Sequence, residues 1–425
     1  MLDKILNKNK YLITFLISIF FSIIIFLLIY KQIVYPTIIP MLQNGTINIF
    51  ADWSAILNSN ICQERGFDVY IENPCDQWNR KHVYGEILLH IPFIEKFPKF
   101  YFLIVPIIFN YLFIYVIVGF FDLKNKIEYL TIFLFLLSMP TILAIERANF
   151  DIVIFLLVVF VAKNKQLLLN HLILIFITIS KFYPISLAII FLFKKKLRNI
   201  LINTIIFFII IFTILFFQSD QLTKMFENQS QLSGYKGMYE FSFLGAIKFI
   251  KGLNIYLGSK NYNWMKYVYV FILLIIPLVI TIILSLRNFL KNNSISNLFF
   301  INSFENRLYI LSAVIILICY FFVSNYIYRE IFFLGLIPWI IKEKNSINNR
   351  YFQSFFFYIL SGKFLISTLL IFIERNNFFS SFKPIMIITK HCVDFYLIVI
   401  VFFIFFRAII SLCKHLIVNH VPQKV

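Results

Sequence analysis

The feature that most limits what this chain can fold into is the recurrence of apolar runs of about 18 residues or more from one end to the other. Runs of that kind have only one economical solution, helices that satisfy their own backbone groups inside lipid. Composition agrees: 60% of the 425 residues are hydrophobic, 19% aromatic and only 14% charged, whereas soluble domains sit near one quarter charged. The expected fold class is therefore all-α, a polytopic membrane helix bundle of about twelve helices, several short. It forms a single transmembrane domain over residues 1–425 with no internal repeat.

The net charge of +19 does not indicate a nucleic-acid partner. The basic residues fall in short clusters between apolar runs, at Lys4/Lys8/Lys10, Lys163/Lys165, Lys194–Lys196 and Lys342/Lys344, as the positive-inside rule requires. That pattern predicts cytoplasmic N- and C-termini and external loops over 35–98, 218–263 and 374–384. Within the first loop, Val83 to Phe97 mixes Glu86, His90, Glu95 and Lys96 with Ile and Leu, which suits an amphipathic surface helix. Further helices are expected over Tyr129–Ile145 and Ile331–Ile341. Ser180-Lys181-Phe182-Tyr183-Pro184 should split Leu167–Phe193 into two, since Pro disfavours helix in the residue before it.

The polar stretch from about Asn44 to Ile91 concentrates the candidate chemistry. Asp52, in I-F-A-D-W-S, is placed either to act as a general base beside Trp53 or to cap the following helix. Asp68 and Asp76 sit among turn residues and read as structural. Arg80, Lys81 and His82 could grip a phosphate or stand as solvated loop charges. Arg147, Asn149 and Asp151 could close on themselves as a polar turn or present Arg147 to an anion. Lys181 and Arg329, each flanked by Tyr, suit phosphate contact or a buried ion pair with Glu330 or Glu146. Cys62 and Cys75 share the first loop and could form a disulfide on an oxidising face; Cys319, Cys392 and Cys413 read as packing residues. There is no metal-ligand spacing, Walker loop, dinucleotide fingerprint or D-x-D motif, so no cofactor is expected and no metal-ligating residue is singled out, which leaves metal dependence open.

An early Asp in the first loop, then R-A-N-F-D at Arg147–Asp151, then S-K-F-Y-P at Ser180–Pro184, resembles the polyprenyl-phosphate-dependent glycosyltransferases of the GT-C class. The likeness is to the bacterial mannosyltransferase-like branch, with its R-G-N-x-D and K-x-Y-P segments. G-F-D-V-Y-I-E-N-P-C-D-Q-W-N-R and Y-I-Y-R-E-I-F-F-L extend it, from Asp52 to about Pro338. Ala148 stands where that branch carries Gly, and Tyr84-Gly85 where it carries Tyr-Pro.

The resemblance implies an inverting hexosyl transfer at the external face of a bacterial inner membrane. The donor would be a polyprenyl-phosphate sugar and the acceptor a glycan, glycolipid or glycoprotein. It implies Asp52 as base, with Arg147, Lys181 and Arg329 as candidates to hold the donor phosphate; Arg80, His82, Asn149, Asp151 and Tyr183 are the further candidates for substrate or phosphate contact. A transporter, flippase or polymerase of lipid-linked saccharides is the alternative.

Overall fold

A computed structural model describes residues 10–30, 50–121, 126–193, 197–232, 241, 303–322, 327–344, 350–375 and 383–418. Most of the second and third expected loops lie outside them. All regular secondary structure among the described residues is helical, without strands. The helices are α1 (Lys10–Tyr30), α2 (Ala51–Glu64), α3 (Val105–Gly119), α4 (Lys126–Leu136), α5 (Met139–Glu146), α6 (Phe150–Lys163) and α7 (Leu167–Ser180), followed by α8 (Leu197–Phe217), α9 (Ser219–Leu232), α10 (Phe304–Phe322), α11 (Ile337–Lys344), α12 (Arg350–Arg375) and α13 (Lys383–Val418).

Four described helical stretches are long and apolar enough to cross a membrane: Phe100–Gly119, Leu197–Phe217, Phe304–Phe321 and Thr389–Leu412. Their enclosure differs. The α10 stretch is 72% buried and that of α8 only 22%, so α10 is central and α8 turns most of its surface outward. Around α10 pack α6, α13 and two 3₁₀ segments, Tyr183–Phe193 and Ile327–Leu336. Phe155, Phe332 and Tyr183 meet in this core. The chain is a helical membrane protein.

Several expected helices are interrupted, each for a local reason. Tyr129–Ile145 is two helices: Ser138 is extended and Pro140 opens α5 near its start, where a missing N–H costs nothing. Val83–Phe97 is not an amphipathic helix; only Glu86–Leu89 forms a 3₁₀ turn. Gly85 before it is extended and donates its N–H to the Ser180 carbonyl at 2.9 Å. Pro92 and the positive φ of Phe93 (62°) stop propagation after it. Over Ile331–Ile341 the chain is 3₁₀ to Leu336 before α11 begins. The break at Lys181–Pro184 lies where the sequence puts it, between α7 and the 3₁₀ segment Tyr183–Phe193.

Candidate functional site

The site is built where one helix ends against the start of another. Helix termini leave backbone groups without intrahelical partners. Here the first N–H groups of α2 meet the last carbonyls of α5: Phe50 N–H donates to Glu146 O at 2.9 Å, Asp52 N–H to Arg147 O at 3.1 Å and Trp53 N–H to Arg147 O at 3.3 Å. No side chain caps α2; the carbonyls of α5 do that work. Asp52 is thus in the first turn of its helix, not a cap. Its anion lies at a positive helix end and Arg147 at a negative one, both favourable for the helix dipoles.

The α5 end closes in a Schellman arrangement. Asn149 N–H bonds Ala144 O at 2.9 Å and Ala148 N–H bonds Ile145 O at 3.0 Å. Ala148 holds the left-handed position (φ 42°), the one glycine takes without strain. Phe50 across the junction is also left-handed (φ 66°). Two strained residues therefore flank Asp52, and strain of this kind collects at functional sites.

The turn does not close on itself. Arg147 reaches Asp52 Oδ1 with Nε and Nη2, both at 2.9 Å, and Asn149 Nδ2 donates to Oδ2 at 2.6 Å. Asn149 Oδ1 accepts from Asp151 N–H at 2.9 Å and caps α6. One asparagine thus orients the carboxylate and starts the helix that carries Asp151.

Asp151 faces inward, fully buried. Its Oδ1 accepts from Lys181 Nζ at 2.6 Å and Tyr183 OH at 2.7 Å, and Oδ2 pairs with Arg329 Nε at 3.4 Å. Arg329 also lies over the Tyr183 ring and Lys181 over the Tyr84 ring. Of the two readings the sequence leaves open for Lys181 and Arg329, the ion pair is the one seen here. Both are engaged by Asp151, and that aspartate, rather than Glu330 or Glu146, is the partner.

A cavity of about 110 Å³ opens beside Asp52, lined by Asp52, Arg80, Lys81, His82, Arg147 and Tyr328 among others. Arg80 is held by Asp76 at 2.9 Å through Nε and Nη2, bonds the Ala51 carbonyl and stacks on Trp78. Its Nη1 stands 3.6 Å from Asp52 Oδ1. The imidazole of His82 sits between Tyr70 and Tyr84. Burial pushes it down to about 3, weakly opposed by the nearby Gly85 backbone. It is neutral at physiological pH and brings no cationic charge to a phosphate. A Cys62–Cys75 disulfide joins the end of α2 to this segment. Asp68, outside the cavity, bonds Lys224 of α9 at 2.6 Å, and that ammonium holds its carboxyl below the usual carboxylate range against an opposing effect of burial.

A second buried cluster joins Glu330 to Lys363, Lys390 and Asp394, which the sequence does not single out. Glu330 accepts from Lys363 at 2.6 Å and faces Lys390 at 3.7 Å, and Asp394 pairs with Lys390 at 2.8 Å and with Lys363. All four are at most 1% exposed. A lone Lys inside the apolar run of α12, and a Lys-x-x-x-Asp spacing inside that of α13, were the available signals.

Fold and site together define a helical membrane protein with an oriented carboxylate in a cation-rimmed cavity. No protein-family model, no curated protein and no solved structure matches this chain. Among the described residues no group of His, Cys, Asp and Glu is arranged to hold a metal ion.

Proposed function

We propose that this chain is an integral membrane glycosyltransferase that moves a sugar from a polyprenyl-phosphate donor to a hydroxyl acceptor at the external face of a bacterial inner membrane. The observation that supports it is the environment of Asp52. One carboxylate oxygen is occupied by Arg147 and the other bonds only Asn149 among the described residues, in a cavity rimmed by cations.

In this reading the acceptor hydroxyl gives its proton to Asp52 Oδ2. The resulting oxygen attacks the anomeric carbon, and the bond from that carbon to the phosphate oxygen breaks with its electron pair leaving on the lipid phosphate. Arg147 lines the same cavity, and this reading assigns its guanidinium to the departing phosphate, where cationic stabilisation lowers the barrier. The remaining features of the reading are a bundle of about twelve helices, a large external first loop and cytoplasmic termini.

The test is sugar transfer by the full chain in nanodiscs, using a panel of polyprenyl-phosphate sugars with a cell lipid extract as acceptor. Wild type should transfer, and Asp52→Asn should lose about 10²-fold or more while still binding donor. Equal transfer by both proteins would remove Asp52 from the reaction.

One observation favours a transporter or flippase instead. The Glu330/Lys363/Lys390/Asp394 cluster lies within the helix bundle, and Lys363 is near the middle of α12, roughly 20 Å along it. Donor bound and moved between leaflets of a vesicle, with no turnover, would support that second reading.

A further inference from the structure

The cations at the cavity are not equivalent. Arg147 is bound to Asp52 and Arg80 to Asp76. Lys181 and Arg329 are bound to Asp151. Lys81 lines the cavity, is exposed, and makes no hydrogen bond or ion pair among the described residues. The pairs Asp52–Arg147 and Asp76–Arg80 cancel, so Lys81 leaves the wall with an excess of positive charge.

The backbone on either side of Lys81 is tied down. Asn73 Nδ2 donates to the Arg80 carbonyl at 2.9 Å and to Ser59 Oγ at 3.0 Å. His82 N–H donates to Val69 O at 2.8 Å. From α9, more than a hundred residues further on, Asn228 Nδ2 donates to the carbonyls of Tyr70 at 2.8 Å and His82 at 3.3 Å. Asn228 is 5% exposed. A lysine is a flexible point charge; fixing the backbone on both sides removes part of the ordering cost of binding.

We propose that Lys81 is the side chain that binds an anionic group, a phosphate or a carboxylate, in this cavity, and that Asn228 of α9 is the positioning residue that sets it there. The proposal deepens the glycosyltransferase reading by naming its anion handle. Its readout is binding, so an absence of sugar transfer would sink that reading and leave this one standing.

The experiment measures binding of farnesyl phosphate, farnesoate and uncharged farnesol to the full chain in nanodiscs. Wild type should bind at least one of the two anionic probes more tightly than farnesol, and which one identifies the group. Lys81→Gln should reduce binding of that probe roughly 10- to 100-fold, Lys81→Arg should retain most of it, and farnesol should be unaffected. Asn228→Ala should cause a smaller loss, and none when added to Lys81→Gln, because a positioning effect vanishes with the residue positioned. In the unsubstituted protein, the favoured anionic probe should slow acetylation of Lys81, read by mass spectrometry, while farnesol should not. Equal binding of all three probes by wild type, unchanged binding by Lys81→Gln, or unprotected Lys81 would overturn the anion site. Fully additive losses from Asn228→Ala and Lys81→Gln would overturn the role of Asn228.

Discussion

Replacing Asp151 by Asn tests the packing logic at its most exposed point, because two cations depend on one carboxylate. Asp151 is fully buried, and the Lys181 and Arg329 side chains are 8% and 15% exposed. Neither cation has enough water to recover its solvation when the charge opposite disappears. Removing one member of a buried pair costs about 3–5 kcal/mol, chiefly through the uncompensated charge left behind. The Arg65–Glu95 pair is a built-in control: at 60% and 55% exposure its removal should cost under about 1 kcal/mol.

The assay is thermal unfolding in detergent at one fixed scan rate, since membrane-protein melts are read as rates when irreversible. Asp151→Asn should lower the midpoint by about 3–6 °C, and Glu95→Gln should leave it nearly unchanged. Lys181→Met added to Asp151→Asn should recover part of the loss, with a coupling of about 1–3 kcal/mol. A midpoint for Asp151→Asn equal to wild type, or simple addition of the two losses, would refute the account of Asp151 as the charge that holds this core together.

Three further outcomes are expected. At Gly85 an added Cβ would lie 1.6 Å from the Ile179 carbonyl oxygen, so Gly85→Ala should destabilise by roughly 1–3 kcal/mol, read as a lower melting midpoint. Ala148→Gly should melt at or slightly above wild type, because relief of the left-handed strain offsets glycine's entropy; Ala148→Val should melt lower. His82 titrates near 6.5 when unfolded and about 3 when folded, so the unfolded chain binds the extra proton between those values. Its contribution is complete above about pH 6.5 and falls by roughly 1.4 kcal/mol per pH unit below that, down to about pH 3. His82→Gln should flatten that part of the stability profile, and an unchanged profile would disprove a buried neutral imidazole.

Part of the site was legible from order and spacing. R-A-N-F-D and S-K-F-Y-P mark helix ends because Asn, Asp and Pro have local backbone preferences that survive in any context. Asp52, Arg147 and Asn149 do converge. The role of Arg80 as a strut on Asp76 was not readable, since a loop arginine looks the same whether bound or solvated. Lys363, Lys390 and Asp394 are not legible in the sequence, because single charges in apolar runs of a Lys-rich chain carry little signal.

What the sequence alone determined is the class of solvent and the element type. Long apolar runs punctuated by basic clusters commit the chain to helices in lipid, because transfer into hydrocarbon depends on composition over a window of about twenty residues and on little else. What only the tertiary structure decided is which charge answers which. Asp52 and Arg147, Asp151 and Arg329, Glu330 and Lys363 are far apart along the chain, and 39 basic residues compete for 20 acidic ones. A Coulomb attraction has no sequence code; it is strong only where packing brings the two groups within about 4 Å and keeps water out.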